Sequence, residues 1–133
     1  MAIHKILIVD DSPTERFYLT DILARAGFAV STAVNGEEAI DKIRAERPQL
    51  ILMDVVMPGA NGFQVTRAIA RDPELSGIPV IICSSKNQET DRIWGMRQGA
   101  RDYLIKPVDP ALLLGAIATL DAQGQAQAPA AAA

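Results

Sequence analysis

Three runs of this chain have no polar interruption: Ile6-Leu7-Ile8-Val9, Leu50-Ile51-Leu52-Met53 and Val80-Ile81-Ile82-Cys83. A strand with one wet face alternates apolar and polar residues, so short unbroken runs belong to strands covered on both faces. Such strands occur in parallel sheets, whose crossover connections lay helices over each side. Every run also stops on a polar group, at Asp10, Asp54 and Ser84. An ionised carboxylate at the end of a buried strand is costly unless it is paired or holds a metal. Asp54 is therefore the residue for which partners have to be found.

The segments between the runs carry helix signals. Ser12-Pro13-Thr14-Glu15 has the form of a capping box, with Ser12 as N-cap, Pro13 at the first helical position and Glu15 reaching back. Leu19, Ile22, Leu23 and Ala26 follow as a stripe, and Gly27 supplies the stop. Phe28 to Ala33 reads as a second, less apolar strand nearer an edge. Asn35-Gly36-Glu37-Glu38 opens a helix that buries Ala39, Ile40 and Ile43, and Pro48 closes the unit. After the turn-rich loop from Val56 to Gly62, a helix is expected to bury Phe63, Val65, Ala68 and Ile69 until Asp72-Pro73 ends it. The next carries Ile93, Trp94 and Met96, with core or half-buried packing expected of Trp94. Asp102 to Ile105 forms the fifth strand and ends in Lys106-Pro107. Asp109-Pro110 opens a last helix with Leu113, Ala116, Ile117 and Leu120 facing inward. The β-then-α alternation predicts an α/β fold: a five-stranded parallel sheet with helices on both faces. One domain over residues 1–121 is expected, with a low-complexity, disordered tail over 122–133.

Composition narrows the function. A net charge of −3 argues against a nucleic-acid binder driven by phosphate neutralisation. No apolar run approaches the roughly 18 residues of a spanning helix, and Met1-Ala2-Ile3-His4-Lys5 leads into the first strand without a signal peptide. The expectation is a cytoplasmic protein with no membrane association. Cys83, the single cysteine, sits inside an apolar run and reads as a small buried side chain.

In an open parallel sheet, ligands sit outside the carboxyl ends of the strands. That rule gathers Asp10, Asp11, Asp54, Ser84 and Lys106 around one pocket. Clustered carboxylates repel each other unless a cation intervenes, and an all-oxygen set open to water suits Mg²⁺. A phosphoryl group fits the remainder: Mg²⁺ and Lys106 neutralise its oxygens, Ser84 donates a hydrogen bond, and Asp54 attacks phosphorus. Each residue alone has an ordinary explanation as a helix-start charge, a cap or a loop lysine. Their joint occurrence at four strand ends is what carries the reading.

These residues resemble the receiver domain of response regulators, the CheY-like family, from Lys5 to about Leu120. The similarity rests on Asp10-Asp11, on Met53-Asp54-Val55-Val56-Met57-Pro58-Gly59 with Asn61-Gly62, on Ser84, on Tyr103 and on Lys106-Pro107. The resemblance implies the flavodoxin-like strand order 2-1-3-4-5. It implies phosphorylation of Asp54 by a sensor histidine kinase or its phosphotransfer domain, and loss of the phosphoryl group to water, in a switch rather than a turnover enzyme. Asp11, Asp54 and the main-chain carbonyl of Val56 would bind Mg²⁺, with Asp10 holding metal-bound water. Lys106 would contact the phosphoryl group, Ser84 would swing toward it, and Tyr103 would follow, altering the face made by the fourth helix, fifth strand and fifth helix. Val56 and Lys86 stand where relatives tune dephosphorylation. Further stretches, among them Gly62-Phe63-Gln64 and Trp94 to Tyr103, resemble the PilH-type branch of single-domain regulators of type IV pilus twitching motility. The expected output is a stand-alone signal or a phosphate sink, with an unidentified downstream protein target. The alternative is a Mg²⁺ phosphatase of the haloacid-dehalogenase type. It is disfavoured because that family spaces its nucleophile and acid two residues apart on the first strand. A flavodoxin is disfavoured because no Ser/Thr/Gly phosphate loop follows the first strand.

Overall fold

The computed structural model describes residues 2–132, with side chains from 2 to 124. Strands and helices alternate as β1 (Lys5–Val9), α1 (Pro13–Arg25), β2 (Ala29–Ala33), α2 (Gly36–Glu46), β3 (Leu50–Met53), α3 (Gly62–Arg71), β4 (Val80–Ser84), α4 (Glu89–Arg97), β5 (Asp102–Ile105) and α5 (Pro110–Ala132). Every pairing is parallel and the order is β2-β1-β3-β4-β5. The expected fold class and strand order are therefore observed, with the less apolar β2 on an edge. The expected tail over 122–133 coincides with the end of α5, and its side chains beyond residue 124 lie outside the described residues.

The period-2 geometry of a strand explains how the unbroken runs build two cores. Leu7, Val9, Ile51, Met53 and Ile82 face a layer with Ala39, Ile43, Phe63, Val65 and Ile69 of α2 and α3. Ile6, Ile8, Leu50, Leu52, Ile81 and Cys83 face the opposite layer, with Leu19 and Leu23 of α1 and Leu113 and Ile117 of α5. Cys83 is buried as expected, and burial pushes its thiol up to about 12. Among the described residues no helix is long and apolar enough to cross a membrane.

Three sequence expectations are corrected. The box at Ser12 is half formed: Ser12 Oγ accepts from Glu15 N–H at 3.3 Å, but Ser12 N–H donates to Asp10 Oδ1 at 2.9 Å, so Glu15 has no cap donor to reach. A full reciprocal box forms instead at Asn61 and Gln64, at the start of α3. Ala68 is exposed, because the inward stripe of α3 is Gly62, Val65, Thr66 and Ile69, the i, i+3, i+4, i+7 set. Thr66 tolerates burial by donating its hydroxyl to the Gly62 carbonyl at 2.8 Å. Trp94 is 48 % accessible, and Ile93 and Met96 are exposed with it. Only Gly95 of α4 is buried: a Cβ there would stand 2.9 Å from Ile82 Cδ1 and 3.0 Å from Tyr103 Cδ2, and its bulky neighbours point away.

The tightest constraint lies where α3 meets the end of β3. A Cβ on Gly62 would stand 1.9 Å from the Asp54 carbonyl oxygen, inside backbone that cannot give way. Gly62→Ala is expected to lower stability by about 3 kcal/mol, the scale of overpacking against a fixed neighbour. Gly115, in α5, has nothing within 4 Å of a built Cβ, so Gly115→Ala should raise stability by about 0.5–1 kcal/mol. Urea midpoints of the two variants check the contrast, and similar shifts in both would contradict it.

Candidate functional site

The parallel ladder continues one residue past the strands and places the site backbone. Asp10 N–H donates to the Ala33 carbonyl at 3.0 Å, Asp54 N–H to Val9 at 2.9 Å, and Lys106 N–H to Ser84 at 2.9 Å. Asp10 and Asp54 thus sit side by side at the ends of β1 and β3. The chain reverses its strand order there, between β1 and β3.

Lys106, on the loop after β5, spans both carboxylates. Its Nζ is 2.8 Å from Asp10 Oδ2 and 3.0 Å from Asp54 Oδ1. Asp10 and Asp54 are buried, whereas Asp11 is exposed at the rim. Asp10, Asp11 and Asp54 each offer an oxygen within 4.8 Å of the others. Asp10 is held further by Ser12 N–H on its carboxylate and by Arg16 Nη1, which donates to its carbonyl at 2.8 Å. Sequence reading missed Arg16; its signal is the i+4 spacing from Ser12, which turns it back toward the strand end. Glu15 Oε2, on the same turn, is buried with no hydrogen-bond partner among the described residues.

Burial raises the pKa of Asp54, with Lys106 opposing the shift and the Asp10 charge adding to it. For Lys106, burial alone would lower the pKa, but the hydrogen bonds to Asp10 and Asp54 prevail and hold it above its ordinary value. The ammonium is therefore charged across the physiological range. Three carboxylates against one ammonium leave two negative charges uncompensated when all are ionised. This all-oxygen donor set, with one member open to water, fits a hard divalent cation such as Mg²⁺.

The remaining predicted residues form a second shelf. Ser84 is buried, and its Oγ accepts from Lys86 N–H at 3.1 Å. Tyr103 is buried, and its hydroxyl donates to the Lys86 carbonyl at 2.8 Å. Burial raises the pKa of that phenol, so it remains a donor. The loop after β4 is thus tied at both the N–H and the carbonyl of Lys86, each by one side-chain hydroxyl. The Lys86 side chain is exposed. Val56 is 61 % accessible, two residues after Asp54, with its side chain in solvent beside the pocket.

Comparison with known proteins agrees with this geometry. The profile of the response regulator receiver domain matches residues 6–118. Protein PilH of Pseudomonas aeruginosa is 57 % identical over 113 residues, which cover 85 % of this chain and 93 % of PilH. Transcriptional regulatory protein AfsQ1 of Streptomyces coelicolor is 38 % identical over 81 % of this chain, which spans 47 % of AfsQ1. The solved structure of chemotaxis protein CheY4 of Vibrio cholerae superposes with a TM-score of 0.82 at 31 % identity, covering 89 % of this chain and 98 % of that one.

The raised pKa of Asp54 fixes the sign of a stability effect. At neutral pH the buried charge costs stability; below the ordinary value of 3.8, folded and unfolded chains both hold the proton and the cost vanishes. Asp54→Asn should therefore melt above wild type at pH 7. The two melting curves should converge at the acid end of a pH series. A variant that melts below wild type at pH 7 would contradict the assignment.

Proposed function

This chain belongs to the response regulator receiver family, and we propose that it works as a phosphorylation switch whose acceptor is Asp54. The observation that carries this reading is the Lys106 ammonium bridging Asp10 and Asp54 at the reversal point of the sheet. An Asp54 oxygen attacks the phosphorus of a phosphohistidine on a sensor kinase or phosphotransfer domain. The new O–P bond replaces the P–N bond, and the imidazole leaves with a proton. Lys106 already touches the Asp54 oxygen, so its charge lies where the phosphoryl oxygens arrive. Asp10, Asp11, Asp54 and the Val56 main-chain carbonyl would hold Mg²⁺, which supplies charge neutralisation for phosphoryl transfer when bound. Water later attacks the acyl phosphate and restores the carboxylate.

The switch reading rests on the shelf at Lys86. When the Ser84 hydroxyl turns to a phosphoryl oxygen, Lys86 N–H loses its acceptor and the loop tied to Tyr103 is free to rearrange. The consequence is a changed α4-β5-α5 face. The resemblance to PilH supports a place in pilus motility signalling, in the cytoplasm, either binding a target protein or draining phosphoryl groups from the kinase. The haloacid-dehalogenase alternative finds no support, since the receiver profile spans nearly the whole domain.

Incubation with acetyl phosphate and Mg²⁺ should add the mass of one phosphoryl group to wild type and none to Asp54→Ala; an equal gain in both would sink the reading. The exposed Val56 offers the attacking water no hydrogen bond. Val56→Asn should therefore shorten the lifetime of the phosphoprotein about fivefold, the kinetic worth of ~1 kcal/mol from one added bond. An unchanged decay rate after removal of the donor would count against a tuning role at this position.

A further inference from the structure

An open cleft of about 370 Å³ lies between the C-terminal halves of α3 and α4. Arg67, Arg71, Trp94 and Arg97 line it, over a floor that includes Ala70 and Gly99. The floor stays low because both residues are small: a Cβ on Gly99 would stand 2.8 Å from the Ala70 Cβ. Among the described residues, ion pairs engage Arg25, Lys42, Arg44, Arg47, Arg92 and Lys106, and none engages Arg67, Arg71 or Arg97. Among the described residues that line the cleft none is acidic, although the chain as a whole carries a net charge of −3.

Helix ends explain part of this. Arg71 and Arg97 occupy the last turns of α3 and α4, where a cation meets the negative end of the helix dipole. Arg67, one turn earlier, gains little from that, because the effect fades within the final turn. The Trp94 indole is exposed at the same place without contributing to either core.

The geometry points to a binding site for a purine nucleotide with two or more phosphates, its base stacked on Trp94 and its phosphates on the three arginines. Arg67 and Arg71 are neighbours on one helix face, about 5–6 Å apart at Cβ, a spacing suited to adjacent phosphates. Guanidinium forks match phosphate oxygens in pairs, and an exposed indole stacks over more area with the two fused rings of a purine than with a single-ring base. The volume lies within the roughly 300–1,000 Å³ of small-molecule pockets. In this topology the helices run back against the strands, so the cleft lies toward the end of the sheet opposite Asp54. The inference stands apart from the phosphorylation chemistry.

Trp94 is the sole tryptophan of the chain, so its emission reports on the cleft directly. The whole protein, in low-salt buffer with EDTA to keep metal from the acid cluster, is titrated with ADP and with GDP. A saturable loss of Trp94 emission is expected, together with binding heat by calorimetry. Arg67→Gln and Arg71→Gln should each weaken binding about tenfold, as loss of a charge-assisted hydrogen bond does. Inorganic diphosphate should displace ADP and restore the emission. Both arginines are exposed, so unchanged circular dichroism should show that the variants fold. Absence of quenching and heat with both nucleotides overturns the proposal. So does an affinity unchanged in the double variant, or binding of poly-glutamate or phosphatidylglycerol vesicles in the absence of nucleotide binding.

Discussion

The contact on which the site depends is the Lys106 ammonium between Asp10 and Asp54. Two buried carboxylates at neighbouring strand ends repel each other, and the lysine is what lets both remain in place. Its compensation is incomplete, because Asp11 adds a third negative charge within reach. The folded chain therefore keeps a concentrated, partly desolvated negative charge at the mouth of its sheet, and burial raises the pKa of Asp54 as a result. That imbalance disfavours the resting state and favours an incoming cation, whose charge, added to that of the lysine, would offset the repulsion that an anionic phosphoryl group meets there.

The fold delivers this cluster through backbone more than through side chains. Ladder hydrogen bonds carried one residue past β1, β3 and β5 fix where Asp10, Asp54 and Lys106 begin. Gly62 then lets α3 start directly against the Asp54 carbonyl, and Gly62 N–H closes the loop by donating to Val55 at 2.9 Å. Two cores, one on each face of the sheet, hold the strands in register so that these positions do not drift. A one-residue slip would exchange the side chains that face the two cores and shift the strand-end residues out of line.

The strands and the acid pocket were legible in the sequence because both depend on local patterns: unbroken apolar runs, and charges placed directly after them. What escaped depended on contacts between distant segments. The Ser12 donor is taken by Asp10, a competition that the spacing of Ser12 and Glu15 does not reveal. Trp94 was misplaced because hydrophobicity suggests burial, whereas the packing of α4 rests on Gly95 meeting Ile82 and Tyr103. Thr66 replaces Ala68 on the inner face of α3 because its hydroxyl finds a carbonyl one turn back. The arginines beside Trp94 were equally hidden, since their gathering is a property of two helices packed together.

The central claim is that the strand-end carboxylate of Asp54, and neither of its two acidic neighbours, takes the phosphoryl group. An acyl phosphate is reduced by borohydride to an alcohol, which converts a phosphorylated aspartate to homoserine. Protein treated with acetyl phosphate and Mg²⁺, then reduced, digested and sequenced by mass spectrometry, should carry homoserine at position 54. Homoserine at position 10 or 11, or at no position while the protein is demonstrably phosphorylated, would contradict the account.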